Sequence, residues 1–109
     1  MQVEELVYGD KGNETYLTLY LSKVSVEDFK TLQHRAGVYM IYSKADELMY
    51  VGETTSIPRR IASHLSPNYN KKEITTESVG YILYAYLKCD RYERGIIEGL
   101  LVHKYKPAL

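Results

Sequence analysis

Polar and apolar side chains alternate through residues 15–22, TYLTLYLS. Tyr16, Thr18 and Tyr20 fall on one side and Leu17, Leu19 and Leu21 on the other, the two-residue period of a half-buried β-strand. Ser25 and Asp28 resemble a capping box and predict a short helix over 26–33. Apolar residues return at Gly37–Tyr42. A polar SKADE turn follows, and Leu48–Val51 runs back, so residues 37–52 predict an antiparallel hairpin. Ser56 stands where an N-cap belongs and Pro58 in a first turn, which predicts a helix from Ile57 to about Leu65. Residues 66–78 are polar and rich in turn formers, hence a loop. Val79–Leu87 predicts a third core strand. Asp90 with Glu93 forms a second capping box, opening a helix that runs to about Lys104 before Pro107. The expected order is β-α-β-β-α-β-α. It describes an α+β domain, a small central antiparallel sheet flanked by helices. Residues 1–36 form a strand-helix extension to a core at 37–109, in one compact unit.

Length allows one hydrophobic core and no second: the chain has 109 residues. Fourteen basic residues against fourteen acidic give no net charge, so no global field selects a nucleic-acid partner. The charge is unevenly spread. Residues 54–72 hold Arg59, Arg60, Lys71 and Lys72 with no acid, whereas residues 1–53 hold 5 bases and 9 acids. Arg59, Lys71 and Lys72 are therefore the candidates for contact with a phosphate backbone. No apolar run reaches the ~18 residues of a membrane helix. The early Glu4, Glu5 and Asp10 do not suit a signal peptide. A single cysteine, Cys89, excludes an internal disulfide and a cysteine-built zinc site, and suits a reduced, cytoplasmic setting. Tyrosine is overused, at 12 residues against one Phe and no Trp. Its ring suits strands and its hydroxyl can bond or give up a proton.

Two triplets carry the most specific signal: Gly37-Val38-Tyr39, and ten residues later Tyr50-Val51-Gly52. Arg60 follows Gly52 by eight positions, His64 comes one helical turn after it, and Glu98 lies in the last helix before Lys106-Pro107. A helical wheel sets Ile57, Ile61 and Leu65 in one stripe, with Arg60 and His64 at its rim and Arg59 toward solvent. Glu98 lies between Ile96-Ile97 and Leu100-Leu101, a partly desolvated place for a carboxylate. On helical spacing alone it would pair with Arg94. Gly95 and Gly99, one turn apart, permit close approach of another element.

Over residues 37–107, nearly two-thirds of the chain, this pattern resembles the GIY-YIG nuclease superfamily. Its members include homing endonucleases, the incision nuclease of excision repair and some restriction enzymes. The resemblance implies a divalent-metal-dependent endonuclease acting on DNA, with Tyr39, Tyr50, Arg60, His64 and Glu98 catalytic. One tyrosine, Tyr39 or Tyr50, helps deprotonate the attacking water, although a free tyrosine titrates only near pH ~10 and needs positive charge beside it. Arg60 stabilises the transition state, and His64 orients the nucleophile or shares the proton. Glu98 holds one Mg²⁺ or Mn²⁺. A domain this small implies a dimer, or a fused or partner domain that reads DNA. The alternative is a nucleic-acid-binding module with this fold and no turnover. Two departures stand out: Glu53 after the second triplet, where many members carry a small or basic residue, and no Asn after Pro107.

Overall fold

The computed structural model describes residues 1–68 and 73–109. Five strands form one antiparallel sheet in the order β1-β2-β5-β3-β4. They are β1 (Gln2–Asp10), β2 (Asn13–Ser25), β3 (Gly37–Ser43), β4 (Leu48–Thr54) and β5 (Val79–Tyr86). Helix α1 spans Ile57–Leu65 and α2 spans Arg91–Tyr105. The α+β class holds, with a helix on each side of the sheet.

The alternation of residues 15–22 does what its period requires: Leu19 and Leu21 are buried while Tyr16 and Tyr20 stay exposed. One face, with Leu6, Leu19, Leu21, Val38, Met40, Val51 and Leu83, packs on Ile97 and Leu101 of α2. The other, with Tyr39, Ile41 and Ile82, packs on Ile57 and Ile61 of α1. The sheet therefore separates the two helices.

The N-terminal part departs from the expected order in two places. Residues 2–10 are a strand, paired along their length with β2 from Gln2↔Leu21 to Asp10↔Asn13. A tight turn through Gly12, at φ 84°, closes this hairpin. The expected helix at 26–33 is only a 3₁₀ turn over Phe29–Thr31. The reason is competition for the backbone: β2 continues to Ser25 in register with Tyr81 of β5, and the Val26 N–H bonds the Gly80 carbonyl. Too few residues remain for a helix, and Phe29 is buried beneath α1 instead.

The later elements match their local signals. Asp90 accepts a hydrogen bond from the Glu93 N–H at 2.8 Å, opening α2 as a capping residue does. Ser66, extended before Pro67, ends α1. Beyond Pro107, the Ala108 and Leu109 N–H groups bond the Leu48 and Met49 carbonyls, covering part of the exposed β4 edge.

Candidate active site

The two triplets lie on neighbouring strands with Tyr39 opposite Gly52. Their glycines answer two steric demands. A Cβ on Gly37 would stand 2.0 Å from the Ala85 carbonyl oxygen of β5, so the β3–β5 ladder leaves room only for hydrogen there. A Cβ on Gly52 would stand 2.4 Å from the Tyr39 hydroxyl, so this glycine opens the space that the tyrosine ring fills. Tyr39 is consequently only 1% exposed, and its hydroxyl lies 2.7 Å from His64 Nε2. The hydroxyl donates when Nε2 is unprotonated and accepts when it is protonated. Tyr50, half-buried, stacks on Tyr39 with centroids 6.2 Å apart and lies 4.6 Å from the His64 ring. Tyr39, Tyr50 and His64 thus form one aromatic cluster beneath α1.

His64 corrects the helical-wheel expectation. It is fully buried rather than set at the rim, because the Tyr39 hydroxyl reaches it inside the core. Arg60, one turn earlier on α1, is half-buried, and Arg59 is exposed as expected. Lys71 and Lys72 lie outside the described residues. Ser56 corrects a second expectation: its hydroxyl does not cap α1 but pairs with His34 Nδ1 at 2.8 Å. The Ser56 N–H bonds the Thr54 hydroxyl instead, so the turn into α1 is closed from the end of β4.

Glu98 reaches the same edge of the sheet from the α2 side. It is half-buried, and burial pushes its carboxyl above the usual carboxylate range; the nearby Glu53 charge pushes the same way, against a hydrogen bond from the Glu53 backbone. The expected ion pair with Arg94 gives way to a different one. Arg94, only 6% exposed, sends Nε to Glu53 Oε2 at 3.0 Å and Nη1 to the Cys89 carbonyl at 2.9 Å. Arg91 stands farther off, 3.9 Å from Glu53 Oε1. Gly95 and Gly99, expected to admit a neighbouring element, face open space with nothing within 4 Å. They lie on the solvent side of α2, opposite Ile97 and Leu101.

A hard divalent ion fits this place. Glu98 offers oxygen donors where surplus negative charge is incompletely solvated, and a cation relieves that cost. Among the described residues no cluster of three or more His, Cys, Asp or Glu could hold a metal. So few protein carboxylates suit an ion that keeps most of its sphere for other oxygen ligands. The pairing of Glu53 with Arg94 is not visible in the sequence, because the two lie 41 positions apart and follow no helical or strand period.

The GIY-YIG catalytic domain profile matches residues 35–108. The UvrABC system protein C of Fervidobacterium nodosum is 30% identical over 83 residues, which is 73% of this chain and 14% of that protein. The UvrABC system protein C of Cytophaga hutchinsonii is 34% identical over 80 residues, 72% of this chain and 13% of its own length. This chain therefore spans about one-seventh of the curated relatives it matches. Among solved structures, the GIY-YIG N-terminal endonuclease domain of UvrC from Thermotoga maritima, a point mutant bound to its catalytic divalent cation, superposes with a TM-score of 0.61. That likeness, at 23% identity, covers 74% of this chain and 88% of the other and concerns the fold. With the profile covering both triplets, the arginine and the glutamate-bearing helix, the chain belongs to the GIY-YIG catalytic domain family of nucleases.

Proposed function

We propose that this chain is a divalent-metal-dependent endonuclease that hydrolyses phosphodiester bonds in DNA. The observation that carries the reading is the buried 2.7 Å contact between the Tyr39 hydroxyl and His64 Nε2, with Tyr50 stacked beside it. A buried hydroxyl needs a hydrogen-bond partner, and an imidazole is one that can also exchange the proton. Tyr50 is the member that solvent can reach, so it is the residue that, as its phenolate, accepts a proton from the attacking water. Tyr39 and His64 hold its ring in place. Arg60, one turn before His64, presents a permanent cation to the charge building on the phosphate. Glu98 would hold a divalent ion, which would supply charge stabilisation to the phosphate and the leaving group. Arg59 contributes backbone affinity. The choice of target then rests on a second copy or on a further DNA-reading domain.

Similar proteins support the reading. The Thermotoga domain is described as an endonuclease with a catalytic divalent cation, and the curated relatives are UvrABC components. The test is nicking of supercoiled plasmid, with branched DNA and structured RNA alongside. Cleavage should require Mg²⁺ or Mn²⁺ and stop in EDTA. Undiminished cleavage in EDTA overturns the metal requirement. Failure to cut any substrate with either metal leaves a nucleic-acid-binding module in place of an enzyme.

A further inference from the structure

We propose that Arg94 is a positioning residue that holds the Glu53 carboxylate out of the metal site, so that Glu98 alone faces the ion. The inference rests on the reading of Glu98 as the metal-holding carboxylate. Three observations carry it.

The first is where Glu53 stands. It follows Gly52 on β4 and pairs with Val38, on the sheet face packed by α2, whereas Tyr39 and Gly52 belong to the face packed by α1. Glu53 is thus the strand residue turned toward the helix that carries Glu98. The Glu53 charge acts on the Glu98 carboxyl, and the Glu53 backbone also bonds it. Two carboxylates converging on one point bind a hard cation more tightly than one does, since affinity rises with ligand charge.

The second is how Glu53 is held. The Arg94 side chain is 7% exposed and that of Glu53 19%, and their Nε–Oε2 separation is 3.0 Å. The Cys89 carbonyl takes Arg94 Nη1 at 2.9 Å, so the guanidinium is anchored at a second point and does not follow Glu53 if it swings away. Arg91 is 87% exposed at 3.9 Å and adds little.

The third is a bond that Arg94 leaves to others. Arg94 and Glu98 lie four residues apart on α2, the spacing of a helical ion pair. Arg94 turns to β4 instead. Its charge neutralises the strand carboxylate, and the Glu98 carboxylate remains available beside the Glu53 backbone. The pair also ties β4, which bears Tyr50, to α2, which bears Glu98.

The test compares Mn²⁺ affinity of the full chain, read from the electron paramagnetic resonance signal of free Mn²⁺, with melting temperature and plasmid nicking. In Arg94→Met the released Glu53 carboxylate joins Glu98, so Mn²⁺ should bind about tenfold more tightly through the added charged ligand while nicking falls. Glu53→Gln combined with Arg94→Met should return the affinity to within about twofold of wild type, since Glu53 contributes no ligand in either case. A merely structural role for Arg94 moves melting temperature and nicking but does not raise metal affinity. An unchanged or weaker affinity in Arg94→Met overturns the proposal. If Arg94→Met does not fold, the double variant decides alone: a tenfold loss there shows that Glu53 is already a ligand and overturns the proposal. Glu98→Gln separates the two levels. Wild-type affinity in Glu98→Gln defeats the metal reading itself, whereas lost affinity there, with unchanged affinity in Arg94→Met, defeats only the role of Arg94.

Discussion

At Gly52 an added methyl group has nowhere to go, because its Cβ would lie 2.4 Å from the Tyr39 hydroxyl and 2.5 Å from the ring carbon that bears it. The ring cannot swing aside freely, since Tyr39 is 1% exposed and bonded to His64. Gly52→Ala should therefore displace the Tyr39 hydroxyl from His64. The expected outcome is a nicking rate lower by orders of magnitude, with a stability loss of about 1–3 kcal/mol from overpacking. Plasmid nicking and thermal melting of the one variant check both. Adjacent arginines should separate in the same way. Arg60 is half-buried one turn before His64, and Arg59 is exposed. Arg60→Ala should lower turnover by about 10²-fold or more, the usual cost of removing one group that stabilises transition-state charge. Arg59→Ala should leave turnover near wild type and reduce the salt dependence of DNA binding by about one unit of slope. Equal losses of turnover in the two variants would mean that Arg59, not only Arg60, serves the reaction. At this scale the sequence was informative about which residues matter and poor at how they sit. The wheel separated Arg59 from Arg60 correctly, yet it left His64 at a rim. No helical period records that a tyrosine from another element waits inside the core.

The elements themselves form where local chemistry demands. Asp90 caps α2, Pro58 fits the first turn of α1, and Pro67 forces the residue before it out of helical geometry. Local chemistry fails where another element competes for the same groups. Ser56 has the right position for a cap, but His34 takes its hydroxyl. Ser25 and Asp28 do bond each other, at 3.2 Å, yet the backbone before them already belongs to the β2–β5 ladder. Gly95 and Gly99 invite a prediction at this scale. Both are exposed within a 15-residue helix, and a methyl group added to either would meet nothing within 4 Å, so each weakens α2 without serving a close contact. Gly95→Ala and Gly99→Ala should each stabilise the protein by about 0.5–1 kcal/mol. Thermal melting without DNA should show a rise of a few degrees for each, about 4–8 °C per kcal/mol in a domain near this size. A fall in melting temperature would mean that the helix needs the extra backbone freedom.

Across the whole molecule, the N-terminal hairpin is joined to the rest by an inward-facing acid. Glu4 is 5% exposed and meets Lys104 Nζ at 2.8 Å, the Tyr105 hydroxyl and Gln2. Burial pushes its carboxyl upward, but the bonds from Lys104, Tyr105 and Gln2 outweigh that, so its pKa lies below the usual value. Tyr105 moves up, through burial and then through its bond to Glu4 and the Glu4 charge. The signs follow. The Glu4 contribution is complete above the ordinary carboxylate range and disappears as pH falls through the lowered value. The Tyr105 contribution is complete below the ordinary phenol range and disappears as pH rises through the raised one. Glu4→Gln should cost about 1–3 kcal/mol near neutral pH, the loss of a charge-assisted buried network. Melting curves of wild type and variant against pH should converge in acid; a constant gap down to low pH would remove Glu4 titration as the cause. The same residue marks where sequence reading ends. The α+β class, the central hairpin and both helices were determined by the sequence alone, because periodicity, caps and motif spacing are local or nearly local; the catalytic candidates are what the family resemblance of those motifs implies. The first strand, the burial of His64 and the Glu53–Arg94 pair were decided only by tertiary structure. In β1 the inward positions are Glu4 and Leu6 while Val3 and Val7 face out, so its hydrophobic pattern contradicts its own burial. Only α2, arriving a hundred residues later in the chain with Lys104, makes an inward acid stable. Contacts of that range leave no period in a sequence, and they set where the charges of this site come to rest.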